Sequence, residues 1–338
     1  MASKAVLVTG AAGFIGMQVC ERLLARGEAV VGVDSLTPYY DPALKRARLN
    51  YLKQHAGFSF YETDLADAEA TETVFNTTTP DRVVHLAAQP GVRASIDEPF
   101  ACIRANCDAF VCVLEYSRRH DVKHLVYASS SSVYGANRTL PYATHHPVDH
   151  PVSLYAASKK ANELMAHTYA HVHGLPVTGL RFFTVYGPWG RPDMAVYLFT
   201  RAIFENTPIR IFNNGNMRRD FTYVDDIAEG VLRTLDSPAV PDPGWNPEQP
   251  EAATSSAPYR VYNIGNNQPV NLLDFVATLE TVIGKPAIRD LRPMQAGDVL
   301  ETCADISALQ RDVGFSPSTP LAEGLRRFVD WYRGYHGV

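Results

Sequence analysis

Cysteine is scarce in this sequence, and no apolar run is long enough to cross a membrane. The five cysteines are scattered over 338 residues without forming a C-x-x-C pair, at positions 20, 102, 107, 112 and 303. Such a set is typical of free, mostly buried thiols in a reducing compartment and gives no sign of a disulfide framework. Residues 1–4 are too short for a signal peptide, and Gly10 and Gly13 interrupt the apolar segment that follows. We therefore expect a cytoplasmic protein that does not enter a membrane.

A strong excess of charge of one sign is also absent. The chain carries 31 Lys and Arg against 36 Asp and Glu, a formal net charge of −5. This balance argues against nucleic acid as a partner and leaves the binding of an anionic ligand to local arginines. Metal-binding patterns are missing too, because His167 and His171 lack the Glu of an H-E-x-x-H motif. We expect no metal site.

What the sequence does contain is a glycine-rich turn between an apolar strand at 5–8 and a helix at 17–26. Gly10 lets the chain turn sharply, Gly13 lets the backbone approach a pyrophosphate, and Gly16 lets the helix pack close to the sheet. The free N–H groups at the start of that helix would hold phosphates. The spacing is G-x-x-G-x-x-G rather than G-x-G-x-x-G. The turn predicts a nucleotide site.

Strands and helices alternate through the first half of the chain. Predicted strands occupy 29–34, 58–63, 82–87, 124–129 and 177–183, and the longest predicted helices occupy 101–119 and 153–173. This alternation predicts an α/β fold with a doubly wound parallel sheet over residues 1–183, to which some later segments return. Residues 184–338 are predicted to form mainly a smaller substrate-binding α/β lobe. Within it, the stretch 237–258 is rich in Pro, Glu, Ala and Ser and predicts an exposed, flexible excursion.

Polar and small residues follow the predicted strands, where such sheets bind their ligands. Asp34 ends the second strand, and a carboxylate there accepts hydrogen bonds from ribose hydroxyls and repels a 2′-phosphate, which favours NAD over NADP. Its alternative role is a helix N-cap or a turn. Asp64 and Leu65 would flank the adenine, and the small residues at 87–89 would let the cofactor pass close.

Two segments carry the residues for chemistry: the serine run 129–132 and the pair Tyr155 and Lys159, which share one face of a helix. A free phenol has a pKa near ~10. A Lys cation ~4 Å away, at an effective dielectric of ~20, contributes roughly 4 kcal/mol. That is about 3 pKa units, which would bring the phenol near ~7. We predict that Tyr155 is a general base and acid whose pKa Lys159 lowers. The alternative is a surface helical pair.

Segments along nearly the whole chain resemble extended short-chain dehydrogenases/reductases of the nucleotide-sugar epimerase and dehydratase group. They are T-G-A-A-G-F-I-G, H-L-A-A-Q, S-S-S-S-V-Y-G, Y-A-A-S-K and R-R-D-F-T-Y-V-D-D. More narrowly, G-V-D-S-L-T-P-Y-Y-D, Q-P-G-V-R-A-S and R-F-F-T-V-Y-G-P-W-G-R-P-D-M-A resemble UDP-glucuronate 4-epimerases. The resemblance implies a Rossmann-type fold, a retained NAD, a UDP-sugar substrate, a role in polysaccharide biosynthesis, and a homodimer formed through a four-helix bundle of helices 101–119 and 153–173.

The resemblance also implies a reaction. Ser130 would hydrogen-bond the sugar O4, and Tyr155 would take the O4 proton while C4 gives its hydride to NAD⁺. The 4-keto sugar would turn over, and the hydride would return to its other face and invert C4. The implied cofactor-binding residues are Gly10, Ala12, Gly13, Phe14, Ile15, Gly16, Asp34, Asp64, Leu65, Leu86, Ala87, Ala88, Gln89, Asn106, Ser129, Tyr155, Lys159, Phe182 and Val185.

Within the resemblance, three positions favour a uronate substrate. Dehydratases of this group carry an Asp-Glu pair where this chain has Ser131 and Ser132, and the decarboxylases keep a Glu at the second position. Galactose-type epimerases have Asn where Thr184 stands. We therefore predict conversion of UDP-glucuronate to UDP-galacturonate. The alternatives are a UDP-glucose/galactose 4-epimerase, a UDP-glucuronate decarboxylase, and a non-catalytic NAD-sensing scaffold.

The remaining implied substrate contacts are spread along the chain. Arg191 would lie near the sugar or diphosphate, the Phe212 ring near uracil, and Arg219 at the diphosphate. Gln295 and Asp298 would close on the nucleotide ribose and phosphates. Arg93 is a candidate for the anionic groups, with a structural salt bridge as its alternative.

Overall fold

The computed structural model describes residues 5–294 and 299–338, so Gln295 and Asp298 lie outside the described residues. The strands, in chain order, are β1 Val6–Thr9, β2 Val30–Asp34, β3 Phe58–Glu62, β4 Arg82–His85, β5 His124–Ser130, β6 Val177–Phe182, β7 Thr184–Tyr186, β8 Pro208–Ile211, β9 Arg218–Tyr223, β10 Tyr259–Ile264, β11 Pro269–Asn271 and β12 Ile288–Leu291. The α-helices are α1 Phe14–Ala25, α2 Pro42–Leu52, α3 Ala68–Thr78, α4 Ala94–Asp97, α5 Pro99–Ile103, α6 Ala109–Arg119, α7 Leu154–His173, α8 Ala195–Glu205, α9 Val224–Leu235, α10 Leu272–Ile283, α11 Ser307–Val313 and α12 Leu321–His336.

Seven strands form one parallel sheet in the order β10-β6-β5-β4-β1-β2-β3. Because the chain moves outward from β1 in both directions, the sheet is doubly wound, and the predicted Rossmann-type α/β fold is confirmed. The predicted strands agree with the observed ones to within two residues at each end. Helix α1 begins at Phe14, earlier than predicted, because Gly13 is already an extended N-cap residue.

Apolar side chains fill both faces of the sheet, since successive residues of a strand point to opposite faces. On β1, Val6 and Val8 point into a core that α1 and α9 close. Leu7 points into the opposite core, which α3, α6 and α7 close. A strand that is buried on both faces leaves its carboxyl end as the place where polar groups meet a ligand.

The smaller lobe has its own sheet, in the order β11-β9-β7, and a two-stranded pair of β8 and β12. Helices α8, α10 and α12 pack around a third core, in which the rings of Phe221 and Phe275 stack with centroids 4.6 Å apart. The chain returns twice from this lobe to the main domain, since α9 packs against α1 and β10 pairs with β6. Strand β8 ends at Ile211, and Phe212 opens a 3₁₀ turn.

The predicted helix 101–119 is not a single α-helix. A π-helical segment, Arg104–Asp108, separates α5 from α6. The amide of Asn162 on α7 donates to the Asn106 carbonyl oxygen at 2.7 Å. Helix α7 thus donates a hydrogen bond to a carbonyl in the widened π-helical turn. Neither the composition nor the hydrophobic period of the segment predicts this turn.

The stretch 237–258 is only partly the exposed excursion that its composition predicts. Ser255 is buried, and its hydroxyl lies 2.9 Å from His167 Nε2 on α7. The Val261 N–H donates to the Ala253 carbonyl at 2.9 Å, and the Asp242 N–H donates to the Ser255 carbonyl at 2.8 Å. The prediction of exposure is therefore wrong for most of 253–258, which packs beside β10, and flexibility stays a prediction.

None of the helices in the described parts of the chain is both long and apolar enough to cross a lipid bilayer. The same residues contain no group of three or more His, Cys, Asp or Glu side chains placed to hold a metal ion.

Candidate active site

A cavity of about 610 Å³ lies at the carboxyl ends of the central strands, bounded on its far side by the start of the smaller lobe. Its position is where an open α/β sheet binds ligands. Most of the predicted site residues line it, namely Gly10, Gly13, Phe14, Ile15, Gly16, Asp34, Asp64, Leu65, Leu86, Ala87, Ala88, Gln89, Ser129, Ser130, Ser131, Ser132, Tyr155, Lys159, Phe182, Thr184, Val185 and Arg191.

The glycine turn leaves space on its cavity side because it carries no side chains there. A Cβ at Gly16 would come within 2.0 Å of the Gly10 carbonyl oxygen, and one at Gly13 within 2.8 Å. Gly10 itself has φ +71°, and a Cβ there would lie 2.8 Å from the Ala87 nitrogen. Since Gly13 caps α1 without a side chain, the first N–H groups of α1 face the cavity side unshielded. The turn fits a phosphate group.

Thr9, which the sequence did not single out, fixes the end of β4 against β1. Its Oγ1 accepts hydrogen bonds from the N–H groups of Leu86 at 3.2 Å and Ala87 at 3.1 Å, and lies 2.8 Å from His85 Nδ1. Burial and the charge of Lys159 lower the pKa of His85 to about 3, so this ring is neutral. The contacts hold Leu86 and Ala87 in the cavity wall. A lone Thr at a strand end gives no signal of this role.

Asp34 ends β2 with its carboxylate directed at the turn. Oδ2 accepts from the Ala12 N–H at 3.2 Å, and Oδ1 accepts from the Leu36 N–H at 2.9 Å. Ala12 does not line the cavity, but its N–H holds the Asp34 carboxylate in place there. The helix-cap alternative for Asp34 does not apply, because Asp41 caps α2 by accepting from the Ala43 N–H at 2.9 Å.

Ser130, Tyr155 and Lys159 come together at the ends of β5 and α7. The Ser130 hydroxyl lies close enough to the phenol of Tyr155 to lower the pKa of that phenol, and both side chains line the cavity. Lys159 donates from Nζ to the Ala128 carbonyl at 2.9 Å, which ties the first turns of α7 to β5. The predicted catalytic residues therefore share one wall of the cavity.

The expected effect of Lys159 on the phenol is not what the structure shows. Burial raises the pKa of Tyr155, while the Ser130 hydroxyl and the charge of Arg191 act in the opposite direction. Burial also lowers the pKa of Lys159 to about 8. The prediction assumed a partly solvated pair, whereas Lys159 is buried, Tyr155 is half-buried and the lysine is directed at a carbonyl.

Asn106 does not line the cavity but positions Gln89, which does. Its Oδ1 accepts from the Gln89 N–H at 2.8 Å, and its Nδ2 donates to the Gln89 carbonyl at 3.2 Å and to the Ser158 hydroxyl at 3.0 Å. The π-helical segment places this side chain between β4 and α7.

At the mouth of the cavity, Arg191 pairs with Asp193, with Nε and Oδ1 3.0 Å apart, and lies over the ring of Tyr39 at 5.9 Å. Tyr39, Tyr40 and Lys45 also line the cavity. Tyr39 and Tyr40 belong to the segment P-Y-Y-D, which contributed to the resemblance, but no residue in it was assigned a role; Lys45 follows on α2. The resemblance of that segment to the family was the observation from which a role for Tyr39 and Tyr40 could have been predicted.

Of the described residues predicted to bind the anionic and nucleotide parts of the substrate, Arg93, Phe212 and Arg219 lie outside the cavity lining. Arg93 and Phe212 come together, with the guanidinium 5.8 Å from the ring centroid. Arg219 donates to the carbonyls of Val299 at 2.6 Å and Leu300 at 3.1 Å instead of facing the cavity. The diphosphate and uracil contacts therefore stay predictions.

A family model described as the NAD dependent epimerase/dehydratase family matches residues 6–265. The chain belongs to this family. A probable UDP-glucuronate 4-epimerase of Rhizobium meliloti (strain 1021) is 47% identical over 330 residues, covering 96% of each chain. UDP-glucuronate 4-epimerase 3 of Arabidopsis thaliana is 46% identical over 98% of this chain and 77% of its own.

Solved structures of family members have the same fold. The UDP-glucuronic acid 4-epimerase from Bacillus cereus, in complex with UDP-glucuronic acid and NAD, superposes with a TM-score of 0.86 at 31% identity. The match covers 98% of this chain and 99% of that one. The likeness extends through both the main domain and the smaller lobe.

Proposed function

We propose that this chain catalyses the NAD-dependent C4 epimerisation of a UDP-sugar, converting UDP-glucuronate to UDP-galacturonate through a 4-keto intermediate. Family membership and the relatives named above support NAD and UDP-glucuronate as its ligands. The observation that carries the proposal is that Ser130, Tyr155 and Lys159 line the same cavity as the glycine turn.

The residues around the turn fit the dinucleotide. Its diphosphate would lie against Gly13 and the start of α1, whose first N–H groups have no side-chain cap, and Asp34 would accept from a ribose hydroxyl. When bound, NAD supplies a hydride acceptor and donor beside the sugar C4.

Ser130 and Tyr155 act on the sugar O4. Tyr155 takes the O4 proton as C4 is oxidised and returns it as C4 is reduced, and the Ser130 hydroxyl holds the oxygen in reach. Burial raises the pKa of the phenol, and the charge of Arg191 at the mouth of the cavity acts against that rise, in favour of the form that accepts the proton.

Neutral hydroxyls around the sugar favour a uronate. Strand β5 pairs with β6 so that Ser130 lies opposite Phe182, which puts Ser131 and Thr184 at two adjacent strand ends. Of the described residues that line the cavity, Asp34 and Asp64 are the acidic ones, and they follow β2 and β3, away from these hydroxyls. A 4-keto uronate is a β-keto acid, and holding its carboxylate by hydroxyl donors disfavours loss of CO₂.

The first test is proton NMR of the purified protein with UDP-glucuronate and no added cofactor. We expect UDP-galacturonate to appear without CO₂ release. UDP-xylose or a 4-keto pentose would contradict the argument from the hydroxyls. Turnover of UDP-glucose alone would indicate the neutral-sugar epimerase, and no turnover even after adding NAD⁺ would contradict catalysis.

We also propose that the chain forms a homodimer through the segment 101–119, which runs from α5 into α6, and α7. These elements pack together and expose large apolar side chains: Val111 is 41% exposed and Leu164 59%, and Phe100, one residue before the segment, is 89% exposed. A second copy would cover them as a four-helix bundle. Light scattering should show a dimer that Phe100→Asp dissociates, whereas Val240→Asp, at an exposed apolar residue outside these helices, should leave it intact. A dimer that survives Phe100→Asp would contradict this interface.

A cytoplasmic location and a role in polysaccharide biosynthesis stay predictions, for which cell fractionation and sugar analysis of a deletion strain are the tests.

A further inference from the structure

Lys45, on the second turn of α2, is a charged side chain that the proposed chemistry does not use. It lines the cavity and is only 7% exposed. Burying a lysine is costly unless its charge is paired. Its position therefore calls for an explanation in terms of the ligand or of its neighbours.

The neighbours of Lys45 lead to the end of β2. Its Nζ lies 3.7 Å from Asp34 Oδ1 and donates to the Thr37 hydroxyl at 3.2 Å. The ring of Tyr40 lies beneath it at 5.3 Å. Burial lowers the pKa of Lys45 and the charge of Asp34 raises it.

Two further cations lie near Lys45. Arg48 is fully buried and donates to the Ala12 carbonyl at 2.9 Å and the Tyr40 hydroxyl at 2.6 Å. Arg191 is paired with Asp193. The charges of Arg48 and of Arg191 both act on Lys45 in the same direction, lowering its pKa. Removing the charge of Asp34 would leave Lys45 facing the cavity without its carboxylate.

We propose that Lys45 is a specificity-determining residue for the adenosine ribose of the cofactor. With Asp34 present, Lys45 neutralises and orients the carboxylate that accepts a ribose hydroxyl. With the charge at position 34 removed, Lys45 becomes the cation that binds a 2′-phosphate. One carboxylate thus keeps a latent NADP site closed. This inference rests on the proposed binding of a dinucleotide by the turn.

The geometry supports this division of roles. Asp34 accepts from the N–H groups of Ala12 and Leu36, one on each oxygen, so its plane is fixed and its remaining lone pairs face Lys45 and the cavity. A 2′-phosphate at the ribose would meet the same oxygens and be repelled. An amide at position 34 removes that repulsion and leaves the ammonium and the Thr37 hydroxyl as donors to phosphate oxygens.

The experiment measures which dinucleotide the protein holds, not its turnover. Wild type, Asp34→Asn, Lys45→Met and the double variant are incubated with equal NAD⁺ and NADP⁺, gel-filtered and denatured, and the released nucleotide is identified by chromatography. We expect wild type to release NAD. Asp34→Asn should raise the NADP-to-NAD ratio at least about tenfold, which corresponds to about 1.4 kcal/mol. The double variant should lose that rise.

Lys45→Met alone keeps the inference testable if Asp34→Asn does not fold, which circular dichroism would show. It should retain the preference for NAD but weaken NADH binding, followed by fluorescence, about tenfold because the carboxylate loses its counter-ion. Lys53→Met, at the exposed end of the same helix, is the matched control and should change neither quantity.

If the NADP-to-NAD ratio rises equally in Asp34→Asn and in the double variant, the role assigned to Lys45 is overturned. Unchanged NADH binding in Lys45→Met would overturn it as well. A wild-type protein that holds no dinucleotide under any of these conditions would overturn the proposed function together with this inference.

Discussion

The Glu163 carboxylate and the Arg181 guanidinium form a fully enclosed ion pair, with Arg181 Nε 2.8 Å from Glu163 Oε1. The same Oε1 accepts the Ser129 hydroxyl at 2.7 Å. Glu163 lies on α7, the helix that carries Tyr155, whereas Arg181 lies on β6 and Ser129 on β5. The Glu163 carboxylate therefore joins α7 to both strands. These contacts support the cavity wall that carries Ser130, Tyr155 and Lys159.

Replacing Glu163 by Gln should destabilise the protein by about 3–5 kcal/mol, because it leaves the Arg181 charge buried without its partner. Burial raises the pKa of Glu163 and Arg181 lowers it, with a net lowering. The contribution of the pair is therefore present above the unfolded-state pKa and is lost as the pH falls through the folded-state one. Urea unfolding at neutral pH measures the change. Glu205→Gln, in an exposed pair with Arg201, should cost at most about 1 kcal/mol, and equal losses would contradict the assignment.

Gly16→Ala should abolish retention of the dinucleotide, because its Cβ would come within 2.0 Å of the Gly10 carbonyl and force the turn open. Gly334→Ala on α12 is the matched control, since a Cβ there meets nothing within 4 Å and alanine favours a helix by up to about 1 kcal/mol. Chromatography of the nucleotide released from each denatured protein provides the comparison. A Gly16→Ala protein that is folded and retains NAD would show that the turn does not hold the diphosphate.

Tyr155→Phe should retain the dinucleotide and lose turnover by roughly 10²–10⁴-fold, because the ring still fills the wall while the proton acceptor is gone. NMR turnover and nucleotide content are measured on the same sample. If conversion of UDP-glucuronate continues at the wild-type rate, another group moves the O4 proton. If instead a cellular phenotype survives the change without any turnover, the NAD-sensing scaffold becomes the better interpretation.

Lys159 should make stability depend on pH in the alkaline range. Its folded-state pKa of about 8 lies below the ordinary value of 10.5, so the unfolded chain binds more protons between these values. Stability therefore gains a contribution that rises with pH across this window, of about 2 kcal/mol. Urea unfolding at pH 7.5 and pH 10 should show this rise in wild type and in Lys123→Met, whose lysine is 70% exposed, but not in Lys159→Met. A rise of the same size in all three would assign it to other groups.

Residues grouped within one short segment were predictable from the sequence. The three glycines, Asp34 at the end of β2, and Tyr155 with Lys159 all owe their placement to a single turn, strand or helix. The period of that element fixes their spacing, so the sequence carries the information.

Residues whose role depends on contacts between distant segments were not predictable. Arg48 donates to the carbonyls of Ala12 and Trp189, which lie 36 and 141 residues away along the chain. The proposed role of Lys45 on α2 depends on its contact with Asp34 on β2. The pKa argument for Tyr155 failed for the same reason, because the depth of burial is a property of the packed fold and not of an i,i+4 pair.

The double return of the chain to its main domain determines where this protein can be divided. A polypeptide that stopped at Phe183 would leave β6 with an unpaired edge where β10 should lie, and would uncover the apolar side chains of α1 that α9 protects. Cutting the gene at the boundary between the lobes would thus yield an aggregating half, not a dinucleotide-binding module. Exchange of the smaller lobe between relatives is feasible only if 224–235 and 259–264 stay with the N-terminal half.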